Sequence, residues 1–91
     1  MANIFVTYDI NKDHTEYKKS LLNLNYMDCW KFEDSTFFVP NTTLWSNTRT
    51  TAQAKQECES IAKKLNVKLE RFIVVEFSNN WNGIPGEKHT R

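Results

Sequence analysis

The chain has 91 residues, 40% of them hydrophobic and 25% charged, with 12 basic and 11 acidic side chains and a formal net charge of +1. This length provides one domain with one core. The composition excludes a disordered chain and the strongly basic charge of many nucleic-acid-binding proteins, although a local basic rim would still serve a modest interface. Because no apolar run approaches the roughly 18 residues that cross a bilayer and no secretion signal opens the chain, we expect a cytoplasmic protein that does not enter the membrane.

The first predicted element is a strand from Ile4 to Ile10, in which six of seven residues are β-branched or aromatic. This composition is typical of a strand that is buried on both faces. Asp9 is the first charge along it and lies where the chain must leave the sheet. A carboxylate in that position either caps the next turn or forms a salt bridge, which residue statistics favour, or it is a ligand that points into a site.

A helix of about ten residues is predicted next. Asp13 and Glu16 have the spacing of a capping box, and we expect the helix to end near Asn25. Lys18 and Lys19 fall off the apolar stripe and are expected in solvent. The stripe itself consists of Tyr17, Leu21, Leu22 and Leu24.

Two further strands are predicted, from Met27 to Phe32 and from Ser35 to Val39, because both segments are rich in aromatic and β-branched residues. The polar pair Glu33-Asp34 between them suits a short hairpin connection. The segment from Asn41 to Arg49 is predicted to be a polar loop. Within it, Trp45 is expected to pack onto the body of the protein rather than to wait for a partner.

The second helix has the clearest signals. Thr50 and Gln53 form a Thr…Gln capping box, and Asn66 is a suitable left-handed stop. Its apolar stripe consists of Ala54, Cys58, Ile61, Ala62 and Leu65. The segment from Phe72 to Phe77 is predicted as the last strand. Residues 79–91 are predicted to be a tail, either a short extra strand or a frayed terminus, and residues 1–78 the domain proper.

The predicted order β-α-β-β-α-β indicates an α+β fold, the ferredoxin-like plait. In it, both helices cover one face of a four-stranded antiparallel sheet, and we expect the first and last strands in the middle. Phe5 and Thr7 share the Asp9 side of the first strand, and the last strand is also apolar on both sides. Two helices can bury only one face, so the other needs a cover. A homodimer that packs sheet on sheet would supply it.

Local spacing gives no metal or catalytic motif. His14 and His89 fall in a loop and in the tail, where histidines are usually solvated. Cys29 and Cys58 are expected to be buried thiols rather than a disulfide or redox pair. Glu76 is expected to form a salt bridge, or to join Asp9 if the sheet places the two together.

Asp9 is therefore the remaining candidate for chemistry. In a two-fold dimer, one aspartate from each chain provides two facing carboxylates, which suit Mg²⁺ because it prefers hard oxygen ligands. A metal held in this way could activate water and neutralise charge on a phosphodiester. Without a metal the two carboxylates would repel each other, and one would take up a proton.

The segment Val6-Thr7-Tyr8-Asp9-Ile10 at the end of a first strand resembles the opening of CRISPR-associated protein two, the small subunit of the CRISPR adaptation complex, and of the related SinR-like and virulence-associated protein D (VapD) groups. Trp30 and Asp34-Ser35-Thr36-Phe37 resemble the hairpin of that superfamily, and Phe72-Ile73-Val74-Val75 resembles its fourth strand. The resemblance spans most of residues 3–77. It implies a dimeric ferredoxin-like protein whose first-strand aspartate, here Asp9, binds metal in members that cut RNA or DNA. The stretch Asn11-Lys12-Asp13 departs from the pattern, since members that engage duplexes usually carry arginines there.

Two functions follow as hypotheses. The first is a small nucleic-acid-acting homodimer, a candidate Mg²⁺-dependent endoribonuclease or phosphodiesterase with Asp9 as metal ligand; an RNA-cleaving toxin of a toxin–antitoxin pair is a special case. Candidate contacts to the phosphate backbone are Lys12, Lys18, Lys19 and Arg49, which surface solubility would explain equally well. The second is a non-catalytic interaction module, an adaptor or inhibitor that uses the same fold and dimer.

Overall fold

The computed structural model describes residues 3–78 and 81–86. In this part of the chain, five strands and two helices follow one another. They are β1 (Asn3–Ile10), α1 (His14–Asn23), β2 (Cys29–Phe32), β3 (Ser35–Phe38), β4 (Thr43–Ser46), α2 (Thr51–Lys64) and β5 (Leu69–Phe77). The α+β class predicted from the sequence is confirmed.

β1 is the central strand of a three-stranded antiparallel sheet, with β4 on one side and β5 on the other. Its register places Phe5 opposite both Trp45 and Val75, and Asp9 opposite Arg71. The first and last strands are therefore neighbours. The expectation that both are central is wrong, because β5 lies at the edge of the sheet that residues 3–78 and 81–86 form.

β4 lies within the segment predicted to be a polar loop, and that prediction is wrong for Thr43–Ser46. Successive side chains of a strand point to opposite faces, so Leu44 and Ser46 are buried on one side. Ser46 tolerates burial because its hydroxyl accepts a hydrogen bond from the Thr48 N–H at 3.2 Å. A short strand can thus be built from a largely polar sequence.

β2 and β3 form a separate two-stranded sheet, so the predicted hairpin is confirmed but the four-stranded plait is not. Glu33 has φ 56°, a left-handed conformation of the kind that tight hairpin turns use. The chain leading into the hairpin meets the main sheet at Met27, which exchanges backbone hydrogen bonds of 2.8 and 2.9 Å with Trp45. Beyond that point the two strands leave the sheet and pack over it through aromatic side chains.

Both helices pack on one face of the sheet, here called the helix face. β1 contributes alternate side chains to the core beneath them: Ile4, Val6, Tyr8 and Ile10. Tyr17 of α1 and Cys58 of α2 meet in this core, where the Tyr17 hydroxyl donates to the Cys58 carbonyl at 2.9 Å. Burial of these apolar side chains is the main stabilising contribution and holds the two helices together.

The helix ends agree with the sequence at α2 and differ at α1. Thr50 and Gln53 form the predicted capping box, with reciprocal hydrogen bonds of 3.1 and 2.9 Å. Asn66 has φ 56°, as expected for a left-handed stop. Asp13 is at the N-cap position but makes no side-chain cap, so the capping box with Glu16 is wrong. Asp13 adopts φ 55°, whereas a side-chain cap needs an extended N-cap residue.

Among the described residues, no helix has both the length and the apolar composition to span a membrane. In the predicted tail, residues 81–86 form no strand. The other tail residues, His89 among them, lie outside the described residues, as do residues 1–2 of the predicted domain.

Candidate functional site

The face of the sheet opposite the helices, here called the open face, carries the candidate site. The alternation of β1 places Phe5, Thr7 and Asp9 on this face. The register of β5 adds Arg71, Ile73, Val75 and Phe77 to it. The sequence predicted these two faces correctly from the pattern of apolar residues.

Half of the open face is covered by an aromatic cluster. Phe5 and Phe77 stack on the sheet with ring centroids 4.2 Å apart. Trp30 of the hairpin packs over both, at 5.7 and 6.2 Å. Trp81 packs edge-to-face against Trp30 at 4.9 Å. The cluster consists of Phe5, Trp30, Phe37, Trp45, Phe77 and Trp81.

Trp45 is part of this cluster, so its predicted packing role is confirmed. Its indole N–H donates to the Cys29 carbonyl at 2.8 Å. Its ring packs edge-to-face against Trp30 at 5.8 Å. The cluster therefore supplies from within one chain part of the cover that the sequence assigned to a second copy.

An apolar groove lies beside the cluster, between the hairpin and the segment from Trp81 to Ile84. Its cavity volume is about 430 Å³, and its lining among the described residues includes no charged side chain. On β1 the groove is lined by Phe5, four positions before Asp9, and on β4 its lining extends to Thr43, which lies opposite Thr7. It therefore brings no charged group to the Asp9 end of the sheet.

The other half of the open face is not covered by the described chain. Ile73 is 60% exposed and Val75 is 48% exposed, and both belong to the edge strand β5. Two large apolar side chains next to each other on an exposed edge strand are a feature that natural proteins usually avoid or use for binding. This half of the open face is therefore the first candidate contact surface.

Asp9 lies at the far end of the open face and is paired. The Arg71 guanidinium donates from Nε to Asp9 Oδ2 at 2.6 Å, and this contact raises the pKa of Arg71. The Asp9 side chain is 49% exposed and that of Arg71 75%. An ion pair this exposed contributes little to stability. Asp9 thus forms a salt bridge, as residue statistics favoured, and its carboxylate stays accessible to solvent.

The described residues contain no group of three or more His, Cys, Asp or Glu side chains that could hold a metal. Glu76 lies opposite Ile4, on the helix face and at the other end of β1 from Asp9. It therefore does not join Asp9, the option that the sequence left open. Within one chain, Asp9 would be a lone carboxylate ligand, and Mg²⁺ would need a second source of oxygen ligands.

The four cations predicted to contact phosphate lie in different environments. Lys12 and Lys19 are exposed, as expected. Lys18 was expected in solvent but is buried, with its amine donating to Asn41 Oδ1 at 3.3 Å. A lysine stem can bury its methylenes while the amine reaches a polar partner, and helical periodicity alone does not reveal this.

Arg49 is held inside the protein. Its Nε donates to Glu57 Oε1 at 2.5 Å, Nη1 donates to Ser46 Oγ at 3.2 Å and Nη2 donates to the Leu24 carbonyl. Its guanidinium lies 4.1 Å from the ring centroid of Tyr26, and its side chain is 13% exposed. Arg49 thus ties β4, α2 and the end of α1 together. Its role in phosphate binding stays a prediction that these contacts do not favour.

Cys58 is a free, buried thiol, as the sequence predicted, whereas Cys29, also expected to be buried, is half-buried. Burial raises the pKa of Cys58 to about 11. Because the thiolate is the reactive form, we expect Cys58 to resist iodoacetamide at pH 8 in the folded protein and to react fully in urea. Mass spectrometry of tryptic peptides checks this. Rapid native labelling of Cys58 would contradict the packing of α2 against β1.

The sequence missed Arg71 as the partner of Asp9 and Glu57 as the partner of Arg49. The pairing of Asp9 with Arg71 could have been predicted, because antiparallel pairing of the first and last strands brings the end of one next to the start of the other. No sequence pattern indicated the pairing of Arg49 with Glu57, since the two residues are brought together by the turn that precedes α2. No family model, curated protein or solved structure matches this chain in comparisons with known proteins.

Proposed function

We propose that the protein is a non-catalytic interaction module that works as a homodimer. The observation that carries this proposal is the pair of exposed apolar side chains, Ile73 and Val75, which lie next to each other on one face of the edge strand β5. An apolar surface of this kind is stabilised when a partner removes it from water. The pairing of Asp9 with Arg71 supports a binding role over a catalytic one, because the carboxylate has a local partner.

A charge placed in the contact surface tests this proposal. We expect Ile73→Lys to raise the dissociation constant of the homodimer by about tenfold or more, because each chain would bury an ammonium group in the interface. Light scattering after size-exclusion chromatography over a range of concentrations measures the change.

Ile84→Lys is the matched control, since Ile84 is also exposed and apolar but lies outside β5. It should leave the dissociation constant unchanged. Equal effects of the two substitutions, or a wild-type monomer at every concentration, would contradict the proposal.

The exposed Asp9 carboxylate favours a second candidate, the nucleic-acid-acting enzyme that the family resemblance implies. In it, Asp9 of each chain would hold Mg²⁺ between two subunits, and Lys12 and Lys19 would contact phosphate. Arg71 would have to release Asp9, which its exposure allows at low cost. Phosphodiester cleavage would then use metal-activated water.

The Asp9→Asn substitution tests this second candidate. As an enzyme, the wild type should cleave labelled single-stranded RNA or duplex DNA when Mg²⁺ or Mn²⁺ is added, and the variant should lose at least about a hundredfold in rate. As an interaction module, neither protein should cleave, and the variant should keep the wild-type fold and dimer. Arg71→Gln is the control, since it frees the carboxylate without removing it.

A further inference from the structure

The outer edge of β5 is long and regular, and no strand among the described residues covers it. β5 has nine residues, and no strand pairs with its outer edge in the part of the chain that the structure describes. Its register with β1 is unbroken from Arg71 to Phe77, and the irregularity of the pair lies before that, next to Ile10. The segment 71–77 contains neither Lys nor Pro, and its two charged residues, Arg71 and Glu76, lie towards its ends.

We propose that two copies of the chain pair through this edge, antiparallel, about a two-fold axis at Val74. The inference rests on the proposed homodimer and specifies its geometry. The pairing would join two three-stranded sheets into one continuous sheet of six strands. Val74 is the central residue of the regular segment 71–77, so an axis at this position pairs the whole segment.

This register is self-complementary. Ile73 of each chain lies opposite Val75 of the partner subunit, so each exposed apolar side chain gains one apolar neighbour and the pair forms twice in the dimer. Arg71 lies opposite Phe77 of the partner subunit, and Phe72 lies opposite the partner's Glu76. No like charges face each other directly anywhere in this pairing.

Neighbouring registers are less favourable. An axis at Ile73 places Glu70 of each chain opposite Glu76 of the other, which gives two repulsive pairs. An axis at Phe72 places Ile73 opposite Arg71, so the apolar pair is lost. An axis at Val75 places Ile73 opposite the partner's Phe77 but shortens the paired segment to residues 73–77, so Arg71 and Phe72 have no partner in the strand. These comparisons follow from the sequence of β5 and from the requirement that paired residues share a face of the sheet.

Edge pairing also fits the molecule better than the sheet-on-sheet dimer expected from the sequence. The hairpin and Trp81 already stand over Phe5 and Phe77, so a second sheet could not lie flat on the open face. The edge of β5 has no such obstacle among the described residues. Beside it, on the helix face, an open groove of about 420 Å³ runs between β5 and α2.

Complementary charges test the register. Because position 73 faces position 75 of the partner subunit, Ile73→Lys and Val75→Glu should each weaken the homodimer, whereas an equal mixture of the two variants should restore dimer through a Lys–Glu pair. We expect the dissociation constant of the mixed dimer to be at least about tenfold lower than that of the homodimer of either variant. A mixture of Ile73→Lys with Val75→Lys is the matched control and should stay monomeric.

Hydrogen exchange of the wild type distinguishes edge pairing from other dimers. The alternate amides of segment 71–77 that point away from β1 should become protected as concentration rises. A dimer in which these amides keep exchanging and the charged variants do not complement each other would overturn edge pairing while leaving the interaction module standing. A wild type that stays monomeric would overturn both.

Discussion

Replacement of Trp30 by alanine should unfold the protein at markedly lower urea concentration, with a loss of about 3 kcal/mol in the free energy of unfolding. Trp30 contacts rings from β1, β3, β4, β5 and the segment after β5. It is therefore the side chain that fastens the hairpin to the open face. Circular dichroism at increasing urea measures the loss.

Tryptophan fluorescence gives a second measurement, because all three tryptophans of the chain belong to the aromatic cluster. Trp30→Ala should shift the emission of the remaining Trp45 and Trp81 to longer wavelength even before urea is added. Phe32→Ala is the control: Phe32 is exposed and contacts Trp81 at 5.5 Å, so we expect a loss of less than about 1 kcal/mol. Equal losses in the two variants would contradict the central place of Trp30 in the cluster.

Replacement of Arg49 by methionine should cost about 2–4 kcal/mol of stability, because it leaves the partly buried Glu57 carboxylate and the Leu24 carbonyl without their cationic donor. Tyr26 would remain a donor to Glu57 at 2.9 Å, which limits the loss. Arg49→Lys should recover only part of it, since an ammonium group cannot reach all three oxygen acceptors from one position. Urea unfolding of the three proteins measures these differences.

The exposed pair of Lys55 and Glu59 supplies the matched control, with an amine-to-carboxylate distance of 2.9 Å. Lys55→Met should change stability by less than about 0.5 kcal/mol. The double variant Arg49→Met/Glu57→Leu should be more stable than Arg49→Met alone, because both charges are then gone. If Lys55→Met cost as much as Arg49→Met, the contacts of Arg49 would have no special role.

The elements that the sequence predicted correctly are those with strong local signals. β1 and β5 are dense in β-branched and aromatic residues, α2 has a capping box and a regular apolar stripe, and the hairpin has two aromatic strands around a polar pair. In each case the local preference and the tertiary structure agree. That agreement makes a segment predictable from its sequence.

β4 and α1 show where local signals fail. The alternation in Thr43–Ser46 spans four residues and includes a serine whose burial depends on a hydrogen bond with Thr48. Asp13 occupies the N-cap position, but its backbone is left-handed and its side chain makes no capping hydrogen bond, although the residue type favours one. Both outcomes depend on tertiary contacts that fix the backbone at these positions. The local preferences of individual residues do not include those contacts.

The candidate site was predictable in part. Alternation predicted that Ile73 and Val75 share one face of the last strand, and the structure shows that this is the face opposite the helices. The sequence did not show that the hairpin and Trp81 would cover the other half of that face, because those contacts join distant segments. The dimer that we propose therefore uses the edge of the sheet, whereas the pattern of apolar residues predicted a dimer through its face.

Sedimentation equilibrium of the wild-type protein tests the central claim most directly. Its mass is to be measured at concentrations from about 1 μM to about 1 mM. This range covers the dissociation constants expected of a homodimer with a small interface. The proposal predicts a mass that rises from that of the 10.8 kDa chain toward twice that value. A mass that stays at 10.8 kDa throughout would contradict the claim that β5 binds a second copy.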